Sequence, residues 1–98
     1  MYTVCLLNGA RVGFIGRADG YKAAMNRGLL YADKVLKDNV EYMFTRQIAL
    51  RPQEDLADLH GAIIDYGSAS RFLMVYDEVV YGFNQACDLA RGLGFLRR

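Results

Sequence analysis

One histidine, His60, and two cysteines, Cys5 and Cys87, are the side chains best suited to act as a general base or a nucleophile near neutral pH. Their surroundings argue for quieter roles. His60 lies near Leu56 and Ile63 at the edge of an apolar helical stripe, where one hydrogen bond satisfies a boundary imidazole. Cys87 falls on the apolar face of a C-terminal helical pattern, and a thiol buried there is inert. Cys5 sits in a distant apolar run with no C-x-x-C spacing, so neither a disulfide scaffold nor a zinc site is expected, and a reducing, cytoplasmic setting fits. Carboxylates gather at Glu54, Asp55 and Asp58 and again at Asp77 and Glu78. Both groups fall in first turns of expected helices, where the macrodipole favours negative charge; they form no paired-acid centre and no convergent oxygen cage. The expectation is a non-enzymatic chain with no metal and no cofactor.

The stretch RVGFIGRADG, Arg11 to Gly20, leads from an apolar strand through glycines into a helix. It resembles the opening of nicotinamide-dependent hydroxyacid dehydrogenases of the Rossmann type, which implies a G-x-G-x-x-G turn holding a pyrophosphate at a helix N-terminus. With the first glycine at Gly16, Ala18 and Tyr21 stand where the second and third are required. The third strand ends QIALRP, without the acid that would hold a ribose. Gly13-Phe14-Ile15-Gly16 also resembles the G-x-x-G loop of KH nucleic-acid-binding domains, but that loop joins two helices, whereas Phe14 and Ile15 read as strand. What remains is Arg17 and Lys22 beside a helix start, a candidate anion-binding pair.

These residues are positioned by a small set of elements. Asn8-Gly9 is the dipeptide that a type I′ hairpin turn demands, and it would set Leu7 opposite Ala10, Cys5 opposite Val12 and Thr3 opposite Phe14. Both faces of that hairpin are apolar, so it is expected to be covered on both sides or to lie centrally. Tyr21, Ala24, Met25, Gly28, Leu29, Ala32, Val35 and Leu36 share a helical face over residues 19–38, with Asp19 as N-cap and Asn39 as the stop. VEYMFTRQIAL alternates as a strand with Val40, Tyr42, Phe44 and Ile48 inward. Pro52 followed by Glu54 and Asp55 opens a helix over 52–66, RFLMVY is a fourth strand, and Asp77 caps a third helix with Val79, Val80, Phe83, Ala86, Cys87 and Ala90 on its apolar face. The predicted fold is one α+β domain over residues 1–98 in the order ββαβαβα, with a four-stranded, mostly antiparallel or mixed sheet opened by the hairpin and packed with three helices.

Composition supports a folded domain: 53% of residues are apolar and 23% charged, the balance of an ordinary core and surface rather than of disorder. No apolar run approaches the ~18 residues of a membrane span. Charge is uneven, with eight Lys and Arg against four acids in residues 1–51 and four against seven in residues 52–98. Opposite the apolar face of the first helix, Ala23, Arg27, Leu30, Tyr31 and Lys34 form an outward stripe, and Tyr81 falls on the polar face of the third. Tyr and Arg carry much of the energy of protein interfaces. Arg27, Leu30, Tyr31, Lys34 and Tyr81 are therefore the expected partner-binding residues of a small interaction protein. It would modulate or inhibit a larger protein or complex, in the manner of the anti-defence and anti-CRISPR inhibitors of phages and mobile elements. The alternative is nucleic-acid or phosphate binding through the basic N-terminal half, with Arg17 and Lys22 at its centre. RFLMVY, read as an exposed edge, could also pair across a two-fold axis into a homo-oligomer.

Overall fold

In the computed structural model, which describes residues 1–98, the first hairpin joins β1 (Tyr2–Asn8) to β2 (Arg11–Ala18). Asn8 pairs with Arg11, so the loop residues are Gly9 and Ala10, one place later than the sequence suggests. Only Gly9 has a positive φ, at 66°, as a type II′ turn requires at its first position; a type I′ turn needs it at both. The shift sets Leu7 opposite Val12 and Leu6 opposite Gly13. Farther along, Cys5 faces Phe14 while Val4 faces Gly16, which leaves Ile15 as a bulge.

β1 pairs along its length with β5 (Arg71–Asp77), β5 with β4 (Gly61–Asp65), and β4 with β3 (Arg46–Ala49). Every pairing is antiparallel, and the order across the sheet is β2-β1-β5-β4-β3. RFLMVY is therefore the middle strand and not an exposed edge, and the two-fold pairing expected of it does not arise from this position. Burial on both faces explains why it is a continuous apolar run rather than an alternating one. Leu73 and Val75 join Val4, Ala62 and Ile64 on one side, while Met74 and Tyr76 join Cys5, Leu7 and Ile63 on the other. Each such aliphatic side chain contributes about 1.5–3 kcal/mol when fully buried.

One helix covers each side. α1 (Tyr21–Lys34) lays Ala24, Gly28, Leu29 and Ala32 on the first, and α2 (Phe83–Leu93) lays Ala86, Cys87 and Ala90 on the second. The fold is a small α+β domain with five strands and two helices, in place of the four strands and three helices expected. None of its helices is long and apolar enough to cross a membrane.

The helix expected over 52–66 is absent. There the Asp55 carboxylate accepts the Ala57 N–H at 3.0 Å and the Glu54 carboxylate accepts the His60 N–H at 3.1 Å, local bonds that compete with helical ones. Leu56, placed in the apolar stripe by sequence, is 68% exposed, and the β-branched pair Ile63-Ile64 belongs to β4. Residues 40–50 become strand only at Arg46; Tyr42–Phe44 is a 3-10 turn whose three side chains all face solvent. α1 is shorter than 19–38, with Gly20 rather than Asp19 at its N-cap and Val35 rather than Asn39 at its C-cap. Asp77 closes a separate turn, its carbonyl accepting the N–H groups of Val80 and Tyr81 and its carboxylate that of Val79. α2 starts only at Phe83, so a helical phase counted from Asp77 misplaces the residues up to and including its first: Val79, Val80 and Phe83 are exposed, and Tyr81 is buried.

Candidate interaction surface

β2 is one of two edges, and eight residues long it is the longer. In a two-residue hairpin the closing pair exchanges both ladder bonds and the next pair none. Asn8 and Arg11 close this hairpin, so Val12 and Phe14 turn their peptide groups away from β1 and toward the open edge. Side chains alternate about the strand. Val12 packs on the α2 side and Phe14, opposite Cys5, shares that side with its ring 69% exposed. Ile15 packs on the α1 side, and Gly16 on that side runs directly beneath the Arg27 guanidinium of α1. Arg27 completes the crossing by donating from Nη1 to the Arg17 carbonyl at 3.4 Å.

That contact fixes which way the predicted stripe faces. Successive helical residues are rotated by about 100°, so with Gly28 against Leu73 and Val4, the side chains of Arg27, Tyr31 and Lys34 leave α1 on the flank next to β2, with Ala23 and Leu30 a step farther out. Leu30 is 51% exposed, Arg27 and Lys34 are exposed, and Tyr31 is half-buried. No acid of the chain pairs with Arg11, Arg27 or Lys34; the ion pairs use Arg17, Arg46, Arg71, Arg91, His60 and the amino terminus. The helix flank and the strand edge thus adjoin, cationic at Arg11, Arg27 and Lys34, with Leu30 exposed on the helix and Phe14 exposed on the opposite, α2 side of the strand.

Tyr81 lies elsewhere. It is 1% exposed in the α2-side core, its hydroxyl donates to the Glu54 carboxylate, and the Arg51 guanidinium rests 4.8 Å from its ring centre. Burial, with the Glu54 carboxylate second, pushes its phenol well above the ordinary range. Tyr81 holds the 50–60 loop to the core and offers nothing to a partner. The candidate anion pair is also separated. Arg17 faces Thr3 on the α2 side and grips Glu78 with Nε at 2.6 Å and Nη2 at 2.7 Å, whereas Lys22 is exposed on α1. Those bonds from Arg17, then one from Thr3, hold the Glu78 carboxyl down at about 2. Cys5 and Cys87 are both buried in the α2-side core; desolvation first, then Cys87, pushes the Cys5 thiol up to about 12.

At the end of the sheet where β4 turns into β5, a groove of about 600 Å³ runs between residues 38–44 and 66–71. Its central carboxylate, Asp38, is engaged by the Tyr66 hydroxyl at 2.6 Å and Arg71 Nη1 at 2.8 Å, so its charge ties α1's following loop to the sheet. His60 is half-buried, its Nδ1 3.7 Å from the Asp77 carboxylate and otherwise without a partner.

Val12 and Phe14 are the functional candidates that residue-type reasoning passes over, because their contribution comes from backbone groups. A signal was present: β2 carries two arginines and two glycines where β5 is apolar from Phe72 to Tyr76, the contrast between an edge and a centre. No protein-family model, curated protein or solved structure matches the chain.

Proposed function

We propose that this protein is a small non-enzymatic interaction module that binds a larger protein through the α1 flank and modulates it, as cytoplasmic inhibitors carried by phages and mobile elements do. One observation carries the reading. Arg27, Leu30 and Lys34 stand exposed along a single helix flank, with both cations free of internal acids. An exposed Leu ringed by Arg, Lys and Tyr has the makeup of an interface centre, and free cations favour a partner whose surface is acidic. Leu30 at the middle of the row favours protein over nucleic acid, because phosphate binding draws on charge rather than on a central aliphatic group.

The test compares immobilised wild-type protein with Leu30→Asp and with the double variant Arg27→Glu, Lys34→Glu in extract of the producing cells. The expected result is a protein recovered by wild type and depleted at least tenfold with both variants, while circular dichroism and thermal midpoints stay the same. Equal recovery by all three overturns the assignment of this flank. Recovery of nucleic acid, with a mobility shift that weakens as salt rises, overturns it in favour of binding by Arg17, Lys22 and the other cations of the N-terminal half.

A further inference from the structure

We infer that the partner completes the sheet: an extended segment alternating acidic and apolar residues adds to β2 as a sixth strand, its acids facing Arg11 and Arg27 and its apolar residues facing Val12 and Phe14. The inference rests on the reading of this surface as protein-binding and names what binds. Its first support is the open backbone, since β2 ends the sheet and the peptide groups of Val12 and Phe14 point outward from it. The second is chemical asymmetry across the strand. On the α1 side lie Arg11, Gly13, the half-buried Ile15 and Gly16; the two glycines carry no side chain, and over Gly16 an acid on the added strand meets the Arg27 guanidinium. On the α2 side lie the half-buried Val12 and the exposed ring of Phe14. Over Arg11–Phe14 a strand's period of two matches this division, with Arg11 on one face and Val12 and Phe14 on the other.

The third support is charge complementarity, which also decides between occupants. β2 holds no acid, and Arg11 and the neighbouring Arg27 have no acid of this chain to pair with, so an added strand that brings acids meets unpaired cations, whereas a second β2 brings none. The bulge at Ile15 limits the usable edge to Arg11–Phe14, so the added strand pairs mainly over that length and takes further hold from the α1 flank.

The experiment uses the full chain and, as probe, a synthetic peptide alternating Glu with Val and Phe, followed by residue-resolved amide hydrogen exchange. Addition of the peptide is expected to slow exchange at Val12 and Phe14 at least tenfold, with affinity falling as salt rises, and a peptide carrying Lys in place of Glu is expected to leave exchange unchanged. Phe14→Pro, which removes an outward N–H at an exposed edge position, is expected to weaken binding at least tenfold. Arg11→Glu is expected to do the same by charge alone, which keeps the test intact if the proline variant folds poorly. Unchanged exchange at Val12 and Phe14 overturns strand addition. If the peptide instead perturbs only Leu30 and Lys34, strand addition falls while the helix-flank reading stands. A peptide-free dimer abolished by Phe14→Pro names a second copy as the occupant and overturns the acidic partner.

Discussion

The two edges of the sheet are finished in different ways. β3 is four residues long, and its hold on β4 runs past its end: Leu50 N–H bonds the Gly61 carbonyl, and Leu50 and Tyr81 pack so closely on Gly61 that a Cβ there would lie 2.7 and 2.8 Å from them. β2 is twice as long, and what leans on it is the movable end of Arg27. At the β3 end the sheet is packed by core atoms, and at the β2 end by a side chain that can be displaced. The difference teaches where the molecule keeps its stability and where it keeps a surface free for another.

Four measurements probe that contrast. Tyr81→Ala should have the largest effect, about 3–5 kcal/mol of stability in urea unfolding, because it empties the core beneath the β3 end and removes the hydroxyl bonded to the Glu54 carboxylate. Next comes the glycine pair. Gly61→Ala must push Leu50 and Tyr81 and should cost about 1–3 kcal/mol, whereas Gly16→Ala has only the Arg27 guanidinium to displace and should cost less than about 1 kcal/mol. Equal costs at the two glycines would erase the distinction between the two ends of the sheet.

The third concerns Glu78, the acid that pins Arg17 at the end of β2. Its carboxyl is held at about 2, below the ordinary 4.5, so its contribution is complete above the ordinary value and is lost as pH falls from there toward 2. Wild type and Glu78→Gln should therefore differ in urea midpoint at neutral pH and converge in acid. Smallest in energy is native-state hydrogen exchange: the outward amides of Val12 and Phe14 should exchange orders of magnitude faster than that of Met74 in the middle strand, by mass spectrometry or NMR.

Much of the fold was legible in local signals. Asn8-Gly9 marked a hairpin, β5 its apolar run, and Ala24, Gly28, Leu29 and Ala32 the buried face of α1. Residues 40–60 were not, for a physical reason. Leu56, His60 and Ile63 have helical spacing by coincidence, and Glu54 and Asp55 resemble the acids of a first turn. In the structure those acids serve the Tyr81 hydroxyl and the nearby backbone N–H groups of Ala57 and His60. Periodicity cannot reveal that, because the Glu54–Tyr81 bond spans 27 residues. Of the candidate site, the α1 stripe was visible as a pattern of side chains. Its companion edge was not, since which strand lies outermost depends on β1 pairing with β5, a long-range choice. Tyr81 was misplaced by the same kind of cause, a turn closed by Asp77 that delays the start of α2.

The pairing of β1 with β5 also sets a clock for folding. Tyr2 meets Asp77 and Asn8 meets Arg71, so β1 must wait for β5, the last of the five strands, before its second ladder can form. The hairpins β1–β2 and β4–β5 close over short loops, but joining them closes the connection from Ala18 to Gly61, about 40 residues, an entropic cost that local structure does nothing to offset in advance. Until then Val4, Ile63 and Ile64, all fully buried in the finished protein, are open to water and to other chains. The same central seam that buries them makes the nascent chain most prone to aggregation just before residues 71–77 appear, and truncations in that interval should go to the insoluble fraction.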